Sequence, residues 1–497
     1  MIARYTLAVM AAAWCALPRP GAAAEVGGKA PETPALLAVL ASDAAVFEKA
    51  QACRWLGARG AKEAVPALAA LLADERLAAY ARDALEKIAD PAAGAALREA
   101  LGRLEGKLLA GAVNSIGARR DAPAVGALRA MAGDPASGAA REALCALGRI
   151  ATTEAGEALV RALASGPEAL RPAAAEGCVL AAERRAAEGA RDAARELYDA
   201  ARRADVPAPI RAAATCGAIA VRGPAGLPLL IEALESGDGI ARGAVLGLLY
   251  RELQEPEVTR ALAAELGRLR PALQALLIPV LARRDEPSAQ GAVEAAAASG
   301  ADAARIAALT ALRDRGGPRA LAVVAARARD ADARLRADAF RVLGEWRGAE
   351  AGPALLALAK DAGDDRDALR AFGAIAALVR RVDFSSGRAL ARDALAAAQS
   401  DEEKRPVIAA LGAAGDAGAF ALLEACAEAP SLREDACEAA VAIGERLARA
   451  AVDAAPDAVQ AAMAKVIAAT RREELAARAA KVVGRLEEAR APRAEKK

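Results

Sequence analysis

Apolar residues recur at three- and four-residue steps through most of the chain, in short segments that polar turns separate. One clear copy occupies residues 351–379, where Gly352-Pro353 precedes a first predicted helix at 354–360. Residues 361–365 form a turn of Asp, Gly and Ala, and a second helix is predicted over 366–379. One face of that second helix is apolar, as in an amphipathic helix, and it carries Leu369, Phe372, Ile375, Ala376 and Val379.

The predicted second helices share a signature in which an apolar or small pair is followed by glycine, and we interpret that glycine as the end of the helix. Gly148 follows Gly117 by 31 residues, and Gly444 follows Gly412 by 32. Further clear copies end at Gly57 and Gly344, and weaker copies fill the intervals. Self-similarity at this period marks a solenoid of stacked helix pairs. The pattern therefore predicts an all-α fold, an armadillo-type α-solenoid superhelix of about 13 or 14 helix pairs, as one continuous array over residues 35–486.

The composition supports helices and excludes several kinds of site. Hydrophobic residues make up 55% of the 497 residues, but aromatic residues only 2%, so Ala, Leu and Val carry the apolar content and favour helix. Histidine occurs 0 times, which excludes Ser-His and Cys-His nucleophile pairs and histidine metal sites. No carboxylate or lysine constellation takes their place. We therefore predict no enzyme activity, no metal site and no cofactor.

Charge argues against nucleic acid as the partner. The formal net charge is only +2, from 67 basic and 65 acidic residues, whereas binding to a phosphate backbone requires a basic surface. A local basic stripe is still compatible with this balance.

The amino-terminal residues 1–24 have the form of a secretory signal peptide. Arg4 precedes an apolar stretch at 5–17 that is too short to span a membrane, and small residues precede Glu25. The alternative is an Ala-rich helix start; lipidation at Cys15 is disfavoured by the bulky residue before it. We predict export to the periplasm or the cell exterior after cleavage near Ala24, and no transmembrane span in the mature chain. Residues 25–34 are predicted to be a flexible leader and 487–497 a disordered polar tail.

Six cysteines remain after cleavage. Four of them occupy core-facing positions of their predicted helices, where we expect buried free thiols: Cys53, Cys145, Cys178 and Cys216. Cys426 and Cys437 lie on either side of a turn, so an antiparallel helix pair would bring them together. Spacing alone does not fix the directions of the Cβ atoms, and both a disulfide and two free thiols stay open.

The order of features within one unit resembles a known repeat. An Asp-containing turn, an arginine, an apolar helix ending in Leu-Gly and an Ala/Leu helix follow one another over 330–358 and again over 134–163. This order resembles the HEAT repeat, and the short period is most similar to the variant found in phycobilisome lyases. The resemblance implies an Asp/Arg ladder between repeats, for which the candidates are Arg141, Arg211, Arg242, Arg336 and Arg433 with Asp134, Asp238 and Asp332. Helical-repeat hydroxylases of this kind need histidine-glutamate motifs, which the chain lacks.

Two features are candidates for a binding surface. Arginine pairs follow several second helices and would line one edge of the solenoid: Arg119-Arg120, Arg283-Arg284 and Arg380-Arg381. They fit either an anion-binding edge or cations that complement the carboxyl ends of helices. Trp346 lies in a predicted turn, where it is either a partly exposed binding anchor or packed against the next repeat, whereas Trp55 is expected in the core.

These expectations define one function and two alternatives. We predict an exported, non-enzymatic interaction scaffold that binds a protein partner, whose identity the sequence does not reveal, along the concave face of the solenoid. The alternatives are binding of a polyanion or carbohydrate along the arginine edge, and a structural spacer without a partner.

Overall fold

The computed structural model describes residues 31–449 and 456–490, and within them every regular element is a helix. The chain divides into two compact units, one reaching to Val258 and the other starting at Thr259, which we describe separately. The helices up to this boundary are α1 Thr33–Ala41, α2 Val46–Arg59, α3 Val65–Ala70, α4 Ala78–Lys87, α5 Pro91–Ala100, α6 Gly106–Arg119, α7 Val125–Gly133, α8 Ala140–Ile150, α9 Thr153–Ser165, α10 Arg171–Ala187, α11 Arg191–Arg203, α12 Ala208–Arg222, α13 Leu227–Glu235, α14 Gly239–Arg251 and α15 Pro256–Leu266, which contains it.

The second unit continues with helices of similar length. They are α16 Pro271–Ala282, α17 Pro287–Ser299, α18 Asp302–Arg315, α19 Pro318–Arg327, α20 Ala333–Gly344, α21 Ala351–Lys360, α22 Asp365–Val379, α23 Phe384–Ala397, α24 Asp401–Ala414, α25 Phe420–Ala427, α26 Arg433–Arg449, α27 Pro456–Ala469 and α28 Glu473–Arg490. Short 3₁₀ turns lie at Lys62–Ala64, Leu71–Ala73, Ala122–Ala124, Pro135–Ser137, Glu168–Leu170, Gly223–Gly226 and Ala417–Ala419.

Odd-numbered helices are the first and even-numbered helices the second members of 14 helix pairs in the described residues. Within each unit the second helix of one pair packs against the second helix of the next, and the core lies between the two layers. Equivalent positions of successive second helices fill this core, as Leu56, Leu85, Ile116 and Leu147 do in the first unit. The fold is therefore an all-α solenoid of the HEAT/armadillo type, as the 31-residue period predicts.

At the clear copies of the repeated signature the glycine lies inside its helix, except for Gly344, which is the last residue of α20. Gly57 and Gly117 each lie inside a second helix, two residues before its last residue. A Cβ atom on Gly117 would lie 2.8 Å from the Cα atom of Ala146, and one on Gly57 would lie 2.7 Å from the Cα atom of Ala84. The missing side chain lets neighbouring second helices touch backbone to backbone. Glycine is needed here for close approach, not for termination.

The ends of the array differ from the predicted boundaries. Helix α1 begins at Thr33, because Pro34 suits the first turn of a helix, so the predicted leader overlaps the array by two residues. Helix α28 continues to Arg490, and residues 487–490 of the predicted tail are therefore helical. The predicted signal peptide, most of the leader and residues 491–497 of the tail lie outside the described residues.

One helical stretch of the described chain, Ala208–Glu235, is long and apolar enough to cross a membrane by length and composition alone. In the structure this stretch comprises α12, the 3₁₀ turn Gly223–Gly226 and α13, which are the second helix of one pair and the first helix of the next.

Candidate functional site

The first arginine pair of the predicted edge divides into an inward and an outward residue. From Nη1, Arg119 donates to the carbonyl oxygens of Leu85 and Ile88, and from Nη2 to that of Asp90 at 3.2 Å. These carbonyls lie in the last turn of α4 and just beyond it, where helix carbonyls have no partner within the helix. Arg119 therefore caps the second helix of the preceding repeat, whereas Arg120 is exposed.

The other two pairs do not repeat this arrangement. Arg284 is only 9% exposed, and its Nη1 donates to the hydroxyl of Thr259, while Arg283 is exposed. Arg380 and Arg381 are both exposed. Two of the six arginines predicted to line an edge are thus partly or fully buried in structural contacts, and a uniform row of cations is not formed.

Two further arginines cap helices in the same way as Arg119, and the sequence reasoning missed them. Arg315 donates from Nη1 to the carbonyl oxygens of Ala282 and Arg284, at 2.8 and 3.1 Å. Arg446 donates from Nη1 to the carbonyl oxygen of Gly412 at 3.1 Å. The available signal was register: Arg119 and Arg446 each follow the signature glycine by two residues.

The Asp/Arg ladder is present at some of its predicted positions. Arg211 contacts Asp238 across one repeat, with 3.3 Å between Nη2 and Oδ2. Asp238 also accepts hydrogen bonds from the backbone N–H groups of Ala241 and Ile240, at 3.1 and 2.9 Å. These backbone bonds and the guanidinium of Arg211 hold the pKa of Asp238 below its usual value.

Asp332 and Arg336 make ladder contacts with residues that were not predicted. Asp332 accepts from Arg305 at 3.0 Å, and Arg336 reaches Asp367 at 2.7 Å. The remaining predicted residues bind elsewhere. Arg141 contacts Glu176, Arg242 donates to the carbonyls of Leu234 and Ser236, Arg433 donates to the carbonyl of Ala427, and Asp134 accepts from the N–H of Ala136. Carbonyl contacts are not confined to arginines that lack an acidic partner, because Arg211 and Arg336 also donate to nearby carbonyls.

The structure decides between the two alternatives for Trp346 and corrects the expectation for Trp55. Trp346 is 1% exposed, and its Nε1 donates to Glu350 Oε1 at 2.8 Å, so the interpretation as an exposed anchor is wrong and the packed alternative holds. Trp55 was expected in the core but is 38% exposed, on α2 in the first helix pair of the described residues.

All six cysteines of the described residues are free thiols. The disulfide considered between Cys426 and Cys437 is therefore not formed in this structure. The four core cysteines are buried as expected, and burial raises the pKa of Cys53 and Cys145 to about 11 and that of Cys178 and Cys216 to about 12. Such thiols are protonated at neutral pH and behave as small apolar side chains.

The second unit has an open recess of about 710 Å³ at the carboxyl ends of α16 and α18. Three arginines line it, and we call it the arginine recess: Arg283, Arg315 and Arg347. Asp285 and Asp314 interleave with them; the Nη2 of Arg315 lies 3.1 Å from Asp285, and that of Arg347 lies 3.9 Å from Asp314. Arg315 is held by its ion pair and its carbonyl contacts, whereas the side chain of Arg347 is 79% exposed.

Apolar residues continue this surface along the same two helices. Pro279, Ala282, Ala307 and Ala311 form the apolar part of the recess. Each of these two helices also has one large apolar side chain that is exposed. Leu276 of α16 is 37% exposed, and Ile306 of α18 is 40% exposed. Leu276, Ile306 and the arginine recess together form what we call the α16–α18 surface.

The side chains of this surface are suited to binding. The carboxylates of the recess are occupied by arginines, and no group of three or more Cys, Asp or Glu residues in the described ranges is arranged to hold a metal ion. Guanidinium groups beside apolar side chains provide both directional hydrogen bonds and desolvated contact area.

Comparison with known proteins shows similarity only at the level of architecture. No protein-family profile matches the chain, and no curated protein sequence does. Among solved structures, yeast importin-β (Kap95p) is 15% identical over 92% of this chain and 72% of its own, with a TM-score of 0.36. The karyopherin Kap121p bound to the SUMO protease Ulp1p is 14% identical over 93% of this chain and 57% of its own, with a TM-score of 0.37. Values this low support no inference about function.

Proposed function

We propose that this protein is a non-enzymatic interaction scaffold that binds a protein partner through the α16–α18 surface. The observation that carries the proposal is the exposure of Leu276 and Ile306 on adjacent second helices beside a recess that arginines line. Protein interfaces combine a few apolar anchors with a polar rim, and arginine is enriched among the residues that contribute most to binding.

The charges of this surface favour a protein partner over a polyanion. Asp285 and Asp314 lie between the arginines of the recess, and each is within ion-pair distance of one of them. A partner with separate acidic, basic and apolar groups matches that alternation, whereas a polysaccharide or nucleic acid with charges of one sign meets repulsion from the carboxylates.

The setting we propose is outside the cytoplasm, on the strength of the sequence of residues 1–24. Mass spectrometry of the protein purified from its native cells tests this part by itself. A chain beginning at Glu25 supports export, and an intact chain beginning at Met1 contradicts it.

Affinity capture with charge substitutions tests the binding surface. The double variant Leu276→Glu, Ile306→Glu places two charges among the proposed anchors, and we expect capture of the partner to fall at least about ten-fold, since anchor residues contribute about 1 kcal/mol or more each. Phe384→Glu is the matched control, because Phe384 is a large exposed apolar residue on a first helix of the same unit.

Capture at low and high salt separates the alternatives. Retention of one protein at both salt concentrations, lost in the double variant and kept in the control, supports the proposal. Retention at low salt only indicates a polyanion, because such binding weakens steeply with salt. No retention by the unchanged chain indicates a structural spacer.

A further inference from the structure

The contact between successive second helices recurs in the same register in both units. In the first unit Ala146 lies against Gly117 of the preceding second helix. In the second unit Val482 lies against Gly444, where an added Cβ atom would be 3.4 Å from the Cγ1 atom of the valine. Ala146 and Val482 each stand two positions before the signature glycine of their own helix. We call the glycine of such a contact the socket and the residue that meets it the contacting residue.

The last second helix of the described residues, α28, carries a socket that no other part of the described chain fills. Val482-Val483-Gly484 has the form of the repeated signature. A Cβ atom on Gly484 would enter open space, unlike one on Gly444 in the preceding second helix. Ala480 and Ala477, one and two turns before Gly484, are exposed. Small residues therefore form an open groove along this face of α28.

The preceding pair of helices packs on the other side of α27 and α28. Arg478 of α28 binds Glu445 of α26, with 2.9 Å between Nε and Oε1, and Lys465 of α27 forms an ion pair with Glu424 of α25. Ile467 stands two positions after Lys465, so it points about 200° away from that contact, and it is 40% exposed. The outward side of the last pair, which we call the tail face, comprises Ile467, Ala477, Ala480 and Gly484. Exposed charged residues of both signs flank it: Glu473, Glu474, Lys481, Arg485, Glu487 and Glu488.

Trp55 occupies the position of a contacting residue in α2, the first second helix of the described residues. It stands two positions before Gly57, as Ala146 stands two positions before Gly148. Ala146 is fully buried in its contact, whereas the side chain of Trp55 is 38% exposed. Exposed charged residues of both signs lie on the same helix: Glu48, Arg54 and Arg59. The described array therefore begins with an exposed contacting residue and ends with an open socket.

We infer that copies of this protein stack head to tail, with Trp55 of one copy against the tail face of the next copy. This interface continues the contact that already joins second helices within each unit. A second copy is the occupant because it presents a contacting residue in the register that the open socket requires. The inference does not depend on the proposed scaffold function and leaves the α16–α18 surface uninvolved.

The two faces match in size and chemistry. Helices pack by placing the side chains of one helix in the grooves of the other, and the alanines and glycine of the tail face leave room for an indole ring. Contact would remove Trp55 and Ile467 from water, and tryptophan is enriched among the residues that contribute most to binding. Because two different faces meet, each added copy leaves one Trp55 and one tail face unoccupied. Stacking therefore continues beyond two copies, into an open chain or a closed ring.

Sedimentation velocity of the whole protein over a wide range of concentrations tests the stacking. We expect the mean mass to rise with concentration beyond that of two copies. Trp55→Glu alters one half of the contact and Gly484→Glu the other, and each should weaken self-association about ten-fold or more. The glutamate at position 484 enters open space, so it leaves the fold of the single copy unstrained. Phe384→Glu is the matched control, at an exposed apolar residue outside both faces, and should associate as the unchanged chain does.

A mixture of the two variants separates head-to-tail stacking from other modes of association. Trp55→Glu keeps an intact tail face and Gly484→Glu keeps Trp55, so the mixture should form a complex with one copy of each and nothing larger. Ile467→Glu alters the tail face at a second position and should replace Gly484→Glu in this mixture with the same result. Circular dichroism of each variant verifies that it is helical before it is mixed.

Three results would overturn the inference. One is an unchanged chain that stays monomeric at every concentration. Another is a Trp55→Glu variant that still forms dimers by itself, because that result assigns the tail face to pairing with its own copy. The third is a mixture of folded variants that forms no complex.

Discussion

Single residues set the spacing of this solenoid chiefly where a side chain is missing. At Gly148 a Cβ atom would lie 2.7 Å from the carbonyl oxygen of Gly177, and at Gly412 one would lie 2.8 Å from the Cα atom of Ala439. These contacts are backbone to backbone, and no rotamer change relieves them. The glycines therefore allow successive second helices to approach this closely. A larger residue at the same position would prevent that approach.

Gly117→Ala tests this role, with Gly243→Ala as the matched control on another second helix of the first unit. The added methyl group at Gly117 meets the backbone of Ala146, so we expect a loss of about 1–3 kcal/mol in the free energy of unfolding. A methyl group at Gly243 would enter open space, and alanine there should stabilise its helix by roughly 0.5–1 kcal/mol. Urea unfolding followed by circular dichroism measures both; equal effects of the two variants would contradict this role.

The sequence allowed the signature glycines to be found but not their role to be assigned. Glycine after an apolar pair is typical both of a helix end and of a close helix contact, and only the position of the next repeat separates the two. Trp346 shows the same limit. Its place in a predicted turn was compatible with exposure and with packing; the ring is buried and Glu350 accepts its N–H, a contact that depends on how the following turn folds.

Arginine side chains connect the carboxyl ends of successive second helices, in addition to the apolar contacts along their sides. Arg119, Arg315 and Arg446 each reach back to carbonyls at the carboxyl end of the preceding second helix. Those carbonyls have no partner within their own helix, and a cation beside them also complements the helix dipole. The alternative interpretation of the arginine pairs, that cations suit helix ends, describes Arg119 well, although the helix it caps belongs to the repeat before its own.

Arg119→Ala removes hydrogen bonds to several carbonyls, and we expect it to lower the free energy of unfolding by about 1.5–3 kcal/mol, the usual range for hydrogen bonds from a charged group. Arg120→Ala, at the exposed neighbour, should stay within about 0.5 kcal/mol of the unchanged chain. Hydrogen exchange of the last turn of α4 locates the effect. A larger loss at Arg120 than at Arg119 would show that the cap does not stabilise the stacking.

The contact between α26 and α28 should make the end of the array sensitive to acid. Arg478 binds Glu445 through Nε and Nη2, at 2.9 and 3.1 Å, and this hydrogen bonding holds the pKa of Glu445 below its usual value. The unfolded chain therefore binds the proton at higher pH than the folded chain does. The stabilisation is complete above the usual glutamate pKa and is lost as pH falls through the lowered value.

Hydrogen exchange of α28 can be measured from about pH 6 to about pH 3.5 and corrected for the intrinsic pH dependence of exchange. We expect the protection of α28 to decrease as the pH is lowered across this range. Glu445→Gln, which cannot titrate, should have less protection at the upper pH and a smaller change across the range. The same change with pH in the variant and the unchanged chain would exclude Glu445 as the group responsible.

At the scale of the whole molecule, the architecture was predictable and the proposed binding surface was not. The period, the absence of strand patterns and the alanine-leucine composition are all visible in short stretches of the sequence. They therefore predicted a HEAT-type helical solenoid and the number of helix pairs. Which arginines face outward depends on the stacking of repeats about 30 residues apart in the sequence, and the local register with the signature glycine indicates it only for Arg119 and Arg446. The arginine recess contains Arg283 from the predicted edge, but Arg315 and Arg347 join it only through the fold.

The most direct test of the proposed binding surface is site-specific photo-crosslinking in the native cells. A benzophenone amino acid is placed at position 306 in one variant and at position 384 in another, both of which carry exposed apolar residues in the second unit. We predict one discrete crosslinked protein from position 306, absent from position 384 and diminished by Leu276→Glu. A partner captured from position 384 and not from 306 would place the binding surface on the first helices and contradict the proposal.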